Sequence, residues 1–141
     1  MIEALWAGLL ILAASHRATR ALSLLLALKW AANYAAFSLI AQTAPALIDV
    51  ALGTVGVIWA SRHRAGWSDV VIAGFVLTPL VHGWYWFRYP AGDVSAPIYF
   101  WLLAALFSGQ VAAVAWPIAH RYGRALLRRL KLVRTEPSSP R

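Results

Sequence analysis

The sequence predicts an all-α, polytopic helical membrane bundle, and three observations carry that prediction. The chain has 141 residues, of which 61% are AVILMFWYC and only 13% are charged; ordinary soluble domains are roughly 45–50% apolar and about 25% charged. A chain this short buries a smaller fraction of its surface than a large domain does, so a water-soluble globule would leave much of that apolar side chain wet. The apolar residues also fall in continuous runs separated by short links. A transmembrane β-barrel would instead alternate apolar and polar residues over roughly ten-residue segments.

The first run, residues 2–14, is apolar apart from Glu3. It reaches about 20 Å at 1.5 Å per residue, short of a hydrocarbon core of roughly 30 Å. It is read as a short fifth span beside four full ones. Residues 21–41, 44–61, 69–87 and 98–119 reach about 27–33 Å each, enough to cross with modest tilt. The short links between them make sequential helices antiparallel neighbours.

Local signals agree with these bounds. Pro45 and Pro97 stand at helix starts, where a missing N–H leaves nothing unpaired. Ser68 is placed to cap a helix that begins at Asp69, and Pro79 is expected to kink the fourth run. After Pro117, residues 120–134 read as a basic amphipathic helix. Arg121, Arg124, Arg128 and Lys131 lie on one side of it and Tyr122, Leu126, Leu130 and Val133 on the other. The Pro/Ser stretch 135–141 has nothing to bury and is expected to be disordered. No cleaved signal peptide is expected, because the segment before the apolar run carries Glu3 and no Lys or Arg, the wrong sign for a secretory signal.

Thirteen Lys+Arg against five Asp+Glu give a formal charge of +8, and position decides what that charge is for. If residues 2–14 cross from outside to inside, eleven of the thirteen basic residues fall on one side, which the positive-inside rule makes cytoplasmic. The expected location is therefore the inner (cytoplasmic) membrane, N-terminus out and C-terminus in. Trp84, Tyr85, Trp86, Tyr89, Tyr99 and Trp101 bracket the outer loop, while Trp59, Trp67, Trp116 and Tyr122 gather at the inner end, as interfacial aromatic belts do. The basic helix leaves directly from a span, so anionic lipid is its expected partner and nucleic acid is not.

With no cysteine, disulfides, thiolate metal sites and Cys nucleophiles drop out. The chain also lacks G-x-S-x-G, H-E-x-x-H, the phosphate-cradling G-x-x-x-x-G-K-[ST] and the dinucleotide-binding glycine pattern. Neither enzyme activity, nor a cofactor, nor a metal site is expected.

Polar groups within the runs are the candidates for function, because hydrocarbon makes them costly. Counted from the cytoplasmic ends, Asn33, Asp49 and His82 on three helices lie about 18–20 Å deep, and Lys29, Thr78 and Gln110 about 12–14 Å deep. The layer reads as a proton or ion path in which Asp49 and His82 share a proton above Lys29. It also reads as hydrogen-bonding glue between helices, about 0.6–2 kcal/mol per bond, with Lys29 snorkelling to the headgroups; glue is the simpler reading and is preferred. Measured from a hairpin at Thr43, Lys29 and Asp49 are offset by about 12 Å, a poor match for a direct pair. Small residues at four-residue spacing, among them Gly56/Ala60, Gly74/Thr78 and those at Ser108 and Gly109, are expected to let helix backbones approach closely. On the last run they occupy two faces, one for packing within the chain and one for a second copy.

In organisation, a short chain of closely spaced spans with a basic cytoplasmic end, the protein resembles the holin-like class of small phage membrane proteins. The resemblance covers the whole chain and rests on architecture. It implies accumulation in the inner membrane and homo-oligomeric assembly into lesions that release a lysis enzyme. The residues leave open a small transporter or channel subunit built on the Asn33, Asp49 and His82 layer, and a non-catalytic membrane scaffold or accessory subunit.

Overall fold

A computed structural model of the chain describes residues 2–39, 44–63, 65–88 and 96–134, with the side chains of 37–39, 44 and 129–134 left aside. The turn expected at Gln42-Thr43, most of the outer loop and the tail 135–141 lie outside the described residues, as does the side chain of Lys131. Five helices result, and no strand among the described residues: α1 (Ile2–Ala14), α2 (Arg20–Leu39), α3 (Ala44–Ala60), α4 (Gly66–Arg88) and α5 (Ala96–Arg134). Two are long and apolar enough to cross a membrane, α4 and the Ala96–Arg128 part of α5, while Ile2–Ala14 and Pro45–Ala60 are apolar but shorter.

Each helix packs against the next in sequence, and α1 closes the ring against α5, with α2 and α5 touching across it. Helices adjacent in sequence run antiparallel, as short links require. Asp49 of α3 meets His82 of α4, and one to two turns further along α3, Gly53 and Gly56 meet Phe75. His82 meets Tyr99 of α5, whereas Val71 and Gly74 meet Gln110.

The α1–α2 corner is held by side chains that satisfy orphan carbonyls at the end of α1. Thr19 Oγ1 donates to Ala13 O at 2.7 Å and Arg20 Nε to Ala14 O at 3.0 Å. On the other side, α1 is docked by Trp6, whose Nε1 donates to Ser108 Oγ at 3.0 Å and whose ring stands edge-on to Phe107 at 4.9 Å. Leu22, Leu26, Val71, Phe75, Val111 and Val114 fill the centre.

Several boundaries differ from the sequence reading. Helix α4 begins at Gly66, not Asp69, so Ser68 is no cap: its Oγ donates back to His63 O and Ala65 O at 2.8 and 2.6 Å, the local back-bonding open to a serine hydroxyl. Residues 120–134 are not a separate helix, because α5 continues through Pro117. Proline removes one intrahelical donor there, and the turns around it remain packed, with Val114 and Ile118 buried in the core. Helix α4 likewise continues through Pro79.

The small residues also work differently from expectation. At Gly56 and Gly74 a large side chain of the neighbouring helix takes the space that a Cβ would fill. The Phe75 ring fills the space over Gly56, and the Gln110 side chain fills the space over Gly74. Ala60 is fully buried, Ser108 receives Trp6, and Gly109 faces open space.

Large apolar side chains stand on the outer surface, while a few ionisable ones are buried beside the apolar core. Leu47, Leu80 and Trp101 are 70%, 62% and 73% exposed, whereas Lys29, Asp49 and His82 are 3%, 2% and 3% exposed.

Candidate functional site

The buried polar side chains converge on one carboxylate. Asp49 on α3 accepts from Asn33 Nδ2 at 2.6 Å through Oδ1, and the Lys29 ammonium lies 3.3 Å from the same oxygen. Its other oxygen, Oδ2, is 2.7 Å from His82 Nε2 on α4. The second imidazole nitrogen, Nδ1, is 2.6 Å from the Tyr99 hydroxyl on α5. Four helices thus contribute to one chain of contacts, Tyr99, His82, Asp49 and then Asn33 with Lys29.

The sequence places these groups by simple register. Lys29 and Asn33 are one turn apart on α2, so both reach the same point on the neighbouring helix. The expectation that Lys29 and Asp49 are poorly matched for a direct pair is overturned. Counting from Thr43 treats the helices as if they met there, but Lys29 is ten residues from the end of α2 and Asp49 five from the start of α3. The axial offset is therefore about 7.5 Å, which an extended lysine stem spans. Lys29 accordingly turns inward rather than snorkelling, and its Nζ also lies 5.4 Å from the centroid of the Phe75 ring.

The hydrogen-bond directions follow from donor capacity. An ionised Asp49 can only accept, so His82 Nε2 donates to it. With the ring neutral, Nδ1 accepts from the Tyr99 hydroxyl; with the ring doubly protonated, Nδ1 donates to the Tyr99 oxygen. The geometry serves both states without moving a heavy atom. Burying one carboxylate beside one ammonium keeps the centre neutral when His82 is neutral, the condition under which charges are tolerated away from water.

Aromatic packing holds the far end. Tyr85 stacks on Tyr99 with centroids 4.0 Å apart, and Phe100 meets Tyr99 edge-on at 5.1 Å. The sequence reading puts Tyr99 in the outer aromatic belt, and it belongs to the site instead. It lies eleven residues before Gln110, about three helical turns, and so shares its inward face; that period is the signal the sequence offers.

The second layer does not assemble. Thr78 Oγ1 donates to Gly74 O at 2.7 Å on its own helix, and Gln110 Nε2 donates to Val71 O at 3.1 Å. Gln110 ties α5 to α4 and leaves Oε1 buried without a partner, as is Asn33 Oδ1. Beside the carboxylate lies a cavity of about 210 Å³, walled by Trp6, Trp30 and Phe107 and floored by Lys29, Asn33 and Asp49.

Among the described residues no three His, Cys, Asp or Glu side chains gather as metal ligands. Asp49 and His82 spend their facing atoms on each other. No family model matches the chain, and no curated protein or solved structure matches it either.

Proposed function

We propose that this chain is a small multi-span membrane protein of the cytoplasmic membrane, with its basic end inside, and that it moves protons through the side chains around Asp49. The observation that carries the reading is one unbroken sequence of hydrogen-bonding groups, hydroxyl, imidazole, carboxylate and ammonium, buried in a bundle whose outer surface is apolar. Exposed apolar side chains around buried ionisable groups suit hydrocarbon as the solvent. Ionisable chains inside such a bundle mark ion and proton pathways.

Helix glue alone does not require this order of groups. Well-packed apolar residues hold helices together as well as a buried ion pair does, and often better. What Tyr99, His82 and Asp49 add is a chain that stays bonded whichever way its protons point. The protein does no covalent chemistry in this reading and needs no cofactor.

The test is reconstitution of the full chain into liposomes loaded with a pH-sensitive dye, with a potassium diffusion potential as driving force. Proton entry is expected to exceed that of empty liposomes and to fall at least tenfold in Tyr99→Phe, which retains the ring stacking and removes only the terminal hydroxyl. Flux equal to that of empty liposomes would overturn the reading. Release of a large trapped dye, insensitive to Asp49 and Tyr99, would instead support lesion formation of the holin-like kind.

A further inference from the structure

Next to the inner end of the bundle, the first turns of α4 and the middle of α5 leave a groove of about 390 Å³. Val70, Gly109 and Ala112 line its apolar length, and Trp67 and Trp116 stand at its sides. Each tryptophan carries a histidine: His63 lies against Trp67 with centroids 5.4 Å apart, and His120 stacks on Trp116 at 5.7 Å. A Cβ at Gly109 would meet nothing within 4 Å.

The face of α5 that forms this groove runs on into a cluster of guanidiniums. Gly109, Ala113, Trp116, His120 and Arg124 follow one another at steps of four, three, four and four residues, which keeps them on a single helical face. Arg121, Arg124 and Arg128 are exposed and line a second recess of about 470 Å³. Among the described residues none of these three has a carboxylate partner.

From these two recesses we infer that the groove and the arginines together form one binding site for an anionic phospholipid, its acyl chain along Val70 and Gly109 and its phosphate on Arg124. The site rests on the membrane reading above. Its dimensions match a lipid in one leaflet: Gly109 to Arg124 is about 22 Å along the helix, against roughly 15 Å for half the hydrocarbon core and about 6 Å for the headgroup layer. Guanidinium is suited to phosphate because its planar fork donates two parallel hydrogen bonds. A second copy of the chain fits the groove less well. Pairing through this face would bring its arginines against those of its neighbour.

The test uses the full chain in phosphatidylcholine vesicles containing a small fraction of brominated phosphatidylglycerol or, separately, brominated phosphatidylcholine, with tryptophan emission as the readout. Phosphatidylglycerol is expected to quench at a mole fraction at least five times lower than phosphatidylcholine does. Arg124→Gln should abolish that preference, and Gly109→Leu, which fills the groove from an open position, should reduce quenching by both lipids. Equal quenching by the two lipids, or a preference unchanged in Arg124→Gln, would overturn the proposal. So would a dimer in the native chain that Gly109→Leu dissociates. A chain that does not float with vesicles at all removes the membrane reading and this site with it, whereas flotation without lipid preference removes this site alone.

Discussion

The ring of Phe75 on α4 occupies the space in which a side chain at Gly56 on α3 would have to stand, so closely that a methyl group there would overlap its Cε2 and Cζ. Phe75 is 2% exposed and belongs to the central core, so its ring has nowhere to swing. Gly56→Ala is therefore expected to destabilise the fold by about 1–3 kcal/mol through overpacking. Phe75→Leu alone costs less than a truncation to alanine, and in combination with Gly56→Ala it should recover most of the loss. Thermal unfolding in detergent of the two single variants and the double variant checks the coupling. Simple additivity would show that the ring and the glycine do not share one space.

A buried pair behaves differently when one partner or both are changed. Lys29→Met leaves Asp49 charged in the core with only neutral donors and is expected to cost about 3–5 kcal/mol. Lys29→Met with Asp49→Asn removes both charges and should restore most of that stability. The hydrogen-bond chain survives the exchange: the side-chain carbonyl that Asp49→Asn introduces accepts from His82 Nε2, and His82 Nδ1 still accepts from the Tyr99 hydroxyl. Denaturant unfolding of the single and double variants, read by near-ultraviolet circular dichroism, is the measurement. A double variant no more stable than Lys29→Met would show that the ion pair is not what holds Lys29 inside.

Asn33, Asp49 and His82 are legible as one layer because helices are regular. Counting residues from the run ends gives depth, and the three polar groups that it places at one depth on α2, α3 and α4 meet, whereas Lys29, Thr78 and Gln110 share a depth without meeting because each finds another partner. Lys29 is not legible as a partner of Asp49, because the offset depends on where α2 and α3 end, and helix ends are the least determined part of a sequence reading. Tyr99 is hidden by composition. In a segment crowded with Tyr and Trp the bland interfacial assignment covers every member, and only its period with Gln110 sets it apart. The continuity of α5 escapes for another reason, since Pro117 reads as a stop in local terms while core packing on both sides carries the helix past it. Gly56 and Gly74 are again a matter of packing: a glycine on a helix face signals closeness, and the sequence does not say whether a backbone or a ring comes close.

The docking of α1 depends on Trp6. Its Nε1 bond to Ser108 contributes about 0.5–1.5 kcal/mol, and its edge-on contact with Phe107 about 0.5–1.5 kcal/mol beyond burial. Trp6→Phe removes the first and retains much of the second, so a loss of about 1 kcal/mol is expected. Trp6→Ala removes both along with the buried ring and should cost about 3–5 kcal/mol, releasing α1 first because its own packing is confined to α2 and α5. Hydrogen exchange of the α1 amides would rise in Trp6→Ala while α3 and α4 stay protected. Uniform loss of protection would show instead that α1 is no separable unit.

The level of Trp6 also fixes where α1 sits along the bundle, and with it a labelling pattern. Trp6 stands beside Phe107 and Ser108, eleven to twelve residues from the start of α5 at Ala96. With α1 and α5 running in the same sense, Glu3 lies about 12 Å along the bundle from that start. The natural chain has no cysteine, so single cysteines report cleanly. In intact cells Asp93→Cys is expected to react quickly with a membrane-impermeant maleimide, and Glu3→Cys from the same side but several-fold more slowly, shielded by its depth. Ser138→Cys should react only after the cells are opened, as the positive-inside rule requires of the arginine-rich end. Glu3 reacting from the side of Ser138, or Asp93 and Ser138 reacting from one side together, would show that α1 and α5 do not traverse the bilayer in parallel.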